Sequence, residues 1–181
     1  MNHETNQNMT SANLTKTRRM VLTGLFFAVA LVLSMVENSF APLPLAVPGV
    51  KFGLSNIAVM YALFFLGVYP AIAIAGLKAL FVVIIRGPVA GFLSACGGLL
   101  SVAIMALLIL IFKDKISYLL LSIFGAIFHN VGQFTAVSII YTSLNLWVYL
   151  PVLLISGVFA GLITSTLLKV ILPALQKVGL K

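Results

Sequence analysis

Ala71-Ile72-Ala73-Ile74-Ala75-Gly76-Leu77-Lys78-Ala79-Leu80-Phe81-Val82-Val83-Ile84-Ile85-Arg86 is apolar from end to end except for Lys78 at its centre and the arginine that closes it. A helix crossing a hydrocarbon core about 30 Å thick needs about 20 such residues, so this run is read as most of one membrane span. A lysine at bilayer depth costs roughly 2.5–3.5 kcal/mol on insertion scales, and is therefore expected to face a protected cavity and act there.

The rest of the chain has the same character. Apolar residues make up 62% of its 181 positions and charged residues 8%, against roughly 45–50% and 25% in soluble domains. Mean hydropathy is +1.20. This composition implies an all-α integral membrane protein with room for about six spans and no soluble catalytic domain. The net charge of +8 comes from eleven basic and three acidic residues. The basic residues are scattered, and Lys16, Arg18 and Arg19 abut an apolar run, so they are read as topology signals and not as a nucleic-acid surface. Cys96 is the only cysteine and lies in an apolar segment, which leaves no intrachain disulfide and no thiolate metal site.

Residues 1–15 are polar and lack apolar periodicity, and are expected to form a disordered cytoplasmic tail ahead of a single six-helix domain, residues 16–181. Arg18-Arg19, the apolar run and Ser39-Phe40-Ala41 resemble an export signal. The run is long enough to span, however, and further spans follow it, so it is read as a retained first helix. The expected spans are Met20 to Glu37, Phe52 to Leu66, Ala71 to Ile85, Gly91 to Phe112, Ile116 to Tyr141 and Tyr149 to Leu172. Pro42, Pro44 and Pro48 forbid a helix between the first two. With both termini cytoplasmic, Lys16, Arg18, Arg19, Lys113, Lys115, Lys169, Lys177 and Lys181 all fall inside, while Lys51 and Arg86 fall outside.

Small residues at four-residue spacing mark where helices approach closely: Gly157, Gly161 and Ser165 in the last span, and Gly91 with Ala95 and Ser94 with Gly98 in the fourth. Packing within the bundle is the expected use. Gly24 and Ala28 repeat the spacing in the first span and are candidates to receive a partner helix.

Polar residues gather in the outer half and the middle. Glu37 closes the first span, Lys51, Ser55 and Asn56 open the second from the outer surface, and Arg86 ends the third. Lys78, His129, Asn130 and Gln133 lie near the midplane. This distribution suggests a cavity reached from the outer side, in which one carboxylate, Glu37, faces three cations, Lys51, Lys78 and Arg86. A ligand carrying a carboxylate, phosphate or other electron-rich group suits that imbalance; an internal pair of Lys78 with Glu37 is the structural alternative. His129 and Gln133 share a helical face with Gly125, Gly132 and Ala136, whose small side chains leave room beside them. For Asn130 and Gln133, ligand contact and interhelical hydrogen bonding are equally compatible with the sequence. The apolar, proline-rich segment 38–50 is expected to pack over the outer mouth, as a lid or as plain loop packing.

Absences limit the chemistry. There is no phosphate-binding G-x-x-x-x-G-K-[ST] loop, and Asp114 is the only aspartate, so the clustered carboxylates that magnesium-diphosphate chemistry uses are missing. Two histidines and one cysteine make no zinc site. No catalytic residue, metal or cofactor is expected.

Pro48-Gly49-Val50-Lys51-Phe52-Gly53-Leu54-Ser55-Asn56-Ile57, Leu93-Ser94 with Gly97-Gly98-Leu99-Leu100-Ser101, His129-Asn130-Val131-Gly132-Gln133 and Tyr149-Leu150-Pro151-Val152-Leu153 resemble the bacterial membrane family labelled Gx transporter, or heptaprenyl diphosphate synthase component I. The likeness covers roughly residues 17–175. That family is in turn similar to the substrate-binding S components of energy-coupling factor (ECF) transporters. The resemblance implies a multi-pass protein of the bacterial cytoplasmic membrane that binds a vitamin-like molecule from outside and docks on a transmembrane T subunit with two ATPases. Gly24 and Ala28 match the small-residue motif by which S components contact that subunit, with glycine in place of the usual alanine. The family's enzyme label implies an alternative, a noncatalytic membrane component of heptaprenyl diphosphate or quinone synthesis.

Overall fold

The computed structural model describes residues 2–40, 55–142 and 146–177. Within them the chain forms six α-helices: α1 (Asn2–Phe40), α2 (Asn56–Leu66), α3 (Val68–Arg86), α4 (Pro88–Phe112), α5 (Tyr118–Ile140) and α6 (Leu150–Lys177). Short 3-10 turns, Lys113–Lys115 and Leu146–Tyr149, precede α5 and α6. Helix α1 runs through the polar stretch where a tail was expected, and its candidate membrane span lies within Lys16–Glu37, apolar from Met20 onward. The expected lid, residues 38–50, lies almost wholly outside the described residues, as does Lys51.

Five helices are long and apolar enough to cross a membrane. Helix α2 is the exception, with 11 residues where the sequence reading begins a span at Phe52. At 1.5 Å per residue it covers about 16 Å, roughly half a hydrocarbon core. Nine of its 11 residues are buried, and it touches every other helix of the bundle. It is therefore the centre of the fold and not part of its wall. Ile57, Val59, Met60, Leu63 and Leu66 pack with Leu22, Phe26, Ile74, Val102, Met105 and Leu121 in the main apolar core. Large apolar side chains such as Leu80, Ile84, Leu110, Ile139 and Phe159 cover the outside. Apolar without and partly polar within is the arrangement a bilayer selects.

Two glycines make the reversals between consecutive helices. Gly67 (φ 91°, ψ −176°) lies between α2 and α3, and Gly87 (φ 89°, ψ 172°) between α3 and α4. This region of backbone space is open essentially to glycine alone. Helix α3 starts at Val68, earlier than expected, because Pro70 falls in its first turn, where no intrahelical N–H is required.

The small residues do what their spacing suggests. A Cβ on Gly161 would lie 2.5 Å from Cα of Ile123, and one on Gly157 would lie 3.1 Å from Cα of Ile127, so α6 rests on the backbone of α5. A Cβ on Gly132 would come within 2.8 Å of the Cys96 carbonyl oxygen, and one on Gly97 within 2.7 Å of that of His129, which brings α4 and α5 together in the same way.

Arg19 on α1 donates from Nη2 to the carbonyl oxygen of Leu66 at the end of α2, and Tyr61 donates from its hydroxyl to the carbonyl of Leu167 on α6 at 3.2 Å. These contacts place the start of the apolar part of α1, the end of α2 and the later part of α6 at one end of the bundle. Phe64, Lys113 and Tyr118 line one cavity at that same end.

Candidate functional site

Helix geometry puts the polar centre at a single depth. Lys78 lies ten residues into α3 from Val68, about 15 Å along the helix. Ser55, the residue preceding α2, lies a similar distance back from Leu66. Because α2 and α3 form a hairpin about Gly67, the two meet: Lys78 Nζ donates to Ser55 Oγ at 3.1 Å. Ser55 and Asn56 were expected at the outer surface, and the structure instead places them beside Lys78. The half-length of α2 is the reason, since a helix that starts in mid-bilayer brings its first residues there.

Ser55 makes no side-chain cap for α2, its hydroxyl being used as the acceptor for Lys78. The amino-terminal end of α2, with its first-turn amides and the positive end of its dipole, thus lies within the bundle beside a buried lysine. Lys78 is 2% exposed.

From Asn56 a chain of bonds crosses the bundle. Asn56 Nδ2 donates to Ser101 Oγ at 3.1 Å, and Ser101 Oγ donates to the Gly125 carbonyl at 2.7 Å, joining α2, α4 and α5. Asn56 Oδ1 is buried with no hydrogen-bond partner. A void of about 10 Å³ adjoins it, lined in part by Ser122 and Thr164, which is the room of a single water. Ser122 donates to the Tyr118 carbonyl at 2.8 Å and contacts Met60 Sδ at 3.2 Å.

His129 and Gln133 are buried on α5, and none of Glu37, Lys78, His129 and Gln133 lacks a partner. The space expected beside His129 and Gln133 is taken by α4: a Cβ on Gly97 would meet Gln133 Cγ at 2.8 Å and His129 Cε1 at 3.0 Å, and Gly125 faces Met105 Sδ at 2.6 Å from its own would-be Cβ. Asn130 turns the other way. Its Nδ2 donates to the Leu153 carbonyl at 2.8 Å and to Ser156 Oγ at 3.2 Å, tying α5 to α6, while its Oδ1 is buried without a hydrogen-bond partner.

The candidate residues therefore divide. Asn56 and Lys78 lie on one polar layer with Ser55 and Ser101. Glu37, His129 and Gln133 are buried in the bundle, and Asn130 serves the α5–α6 contact. Arg86 is exposed at the end of α3, and Gly24 and Ala28 are exposed on α1, with nothing within 4 Å of a Cβ built on Gly24. Sequence reasoning named Ser101 only within a family motif and did not single out Ser122 or Thr164, because hydroxyl residues in an apolar run carry no charge signal. Among the described residues no group of three His, Cys, Asp or Glu side chains is placed to hold a metal.

No curated protein and no solved structure matches the chain. The family model described as heptaprenyl diphosphate synthase component I matches residues 26–171, a stretch that takes in α2 to α5 entire and most of the apolar parts of α1 and α6. The chain belongs to the heptaprenyl diphosphate synthase component I family.

Proposed function

We propose that this protein is the substrate-binding membrane subunit of an energy-coupled importer, similar to the S components of ECF transporters. In this role it sits in a bacterial cytoplasmic membrane and takes a small anionic or electron-rich, vitamin- or cofactor-like molecule. The observation that carries this is the meeting of Lys78 with the amino-terminal end of α2 at mid-depth. Helix ends in mid-membrane, with the positive ends of their dipoles directed at anionic groups, are a recurrent way of building transporter sites. A buried lysine adds a full positive charge to that partial one. In the proposal Glu37, His129 and Gln133 serve the ligand from within the bundle and Lys51 and Arg86 serve its entry, with Asn56 presenting a buried acceptor, Oδ1, for a ligand hydroxyl or amine. Energy comes from partners, a transmembrane T subunit and ABC ATPases, received on the exposed face of α1 around Gly24 and Ala28.

The family description favours a second reading, a noncatalytic membrane component of heptaprenyl diphosphate or isoprenoid quinone synthesis. Purification from native membranes followed by native mass spectrometry separates the two. The importer reading expects a bound small molecule that Lys78→Met loses without a fall in thermal stability, and a T subunit with ATPases that Gly24→Leu loses. A copurifying prenyl diphosphate synthase subunit in place of the ATPases favours the second reading. An unchanged bound molecule in Lys78→Met, with lowered stability, removes the lysine from the site.

A further inference from the structure

A groove of about 580 Å³ opens between α1 and α3 at the end of the bundle where Arg19 meets α2. Its floor is apolar, made by Met20, Pro70 and Ala73, and its rim carries Lys16 and Arg19, with Tyr69 at the edge. No acidic side chain is among the described residues that line it. Lys16 and Arg19 are exposed, and Met20 and Tyr69 are 75% and 84% exposed.

Arg19 is held in place without being used up. Nη2 donates to the Leu66 carbonyl, and a guanidinium has five N–H donors in a fixed plane, so this one bond leaves further donors for an anion. Lys16 and Arg19 lie just ahead of the apolar run that starts at Met20, which sets the cations of the groove at the level of lipid headgroups and its floor at the level of the first methylenes of an acyl chain. A soluble anion would satisfy the rim and leave the floor uncovered, and a neutral lipid the reverse. We propose that this groove is a seat for an anionic phospholipid, with the phosphate between Lys16 and Arg19 and an acyl chain along Met20, Pro70 and Ala73. Basic pockets between membrane helices hold anionic headgroups in this way. The seat is independent of the mid-depth site around Lys78.

The test uses the full chain, delipidated in detergent and offered phosphatidylglycerol or phosphatidylcholine of identical acyl chains, with bound lipid counted by native mass spectrometry. Wild-type protein is expected to retain one phosphatidylglycerol in preference to phosphatidylcholine. Lys16→Gln should lower that preference about fivefold, the effect of one basic residue near an anionic surface. Ala73→Phe fills the floor and leaves both charges, and should reduce retention of the lipid while thermal unfolding stays as in wild type. Equal retention of the two lipids, or a preference unchanged in both variants, overturns the proposal. Displacement of phosphatidylglycerol by millimolar inorganic phosphate overturns it too, by showing a site for a free anion.

Discussion

Ser101 holds three helices through one hydroxyl. It accepts from Asn56 on α2 and donates to the Gly125 carbonyl on α5, and it is itself on α4 with no exposed surface. Removing the hydroxyl leaves the buried Asn56 Nδ2 without this acceptor, at a cost of about 1–3 kcal/mol, while the Gly125 carbonyl loses its second donor and keeps its place in the α5 backbone. Ser101→Ala is accordingly expected to lower the thermal unfolding midpoint in detergent, while Ser101→Thr, which keeps the hydroxyl, should lower it less. Equal midpoints for wild type and Ser101→Ala would mean that a water takes over the bonds, which the adjoining void has room to admit. At this scale the sequence was uneven. Lys78 was legible because a charge in an apolar run has few places to go, and the structure buries it at mid-depth. Its partner was not, since the depth of Ser55 depends on where α2 starts, and the apolar residues Phe52 and Leu54 made the span read longer than the described helix.

Helix contacts were more legible than helix lengths. Spacing alone marked Gly157 and Gly161, because close approach demands the absence of a Cβ and that demand recurs once per turn. The same spacing at Gly24 and Ala28 leads to an exposed face, so periodicity identifies a flat surface without saying what covers it. These two kinds of glycine should respond oppositely to one methyl group. In Gly161→Ala the new carbon would press on the Ile123 backbone, at 2.5 Å from Cα and 2.8 Å from N, where no side-chain rotation relieves it. Separating α5 from α6 is expected to cost about 1–3 kcal/mol. In Gly24→Ala nothing lies within 4 Å, and the better helix former should leave stability equal or raise it by up to about 1 kcal/mol. Parallel unfolding curves in one detergent check the pair. A similar loss in both would show that α1 is packed against more than lipid in the isolated protein.

For the molecule as a whole, the half-length of α2 makes sidedness a matter of which ends coincide and not of counting spans. Arg19 meets Leu66, so the entry of α1 and the exit of α2 share one end. Helix α3 then leads away to Arg86 and α4 returns to Lys113 and Lys115. Helix α5 leads away again to the turn that contains Trp147, and α6 comes back past Leu167, which Tyr61 of α2 reaches. Lys16, Arg18, Arg19, Lys113, Lys115 and Lys169 are thereby gathered at one end, and Arg86 is set at the other with Trp147, whose ring stands edge-on to Phe134 at 5.6 Å between centroids. Cytoplasmic ends carry the excess of lysine and arginine, so the gathered end is expected to face the cytoplasm. Single cysteines report on this once Cys96, the only native one, is replaced by alanine. A membrane-impermeant maleimide added to intact cells should label Trp147→Cys, whose position is 71% exposed, and should label Lys113→Cys only after permeabilisation. The opposite pattern would turn the bundle over. It would put the groove of Lys16 and Arg19 in the outer leaflet and open the mid-depth lysine toward the cell interior, and uptake by way of Lys78 would then have to give way to the accessory reading.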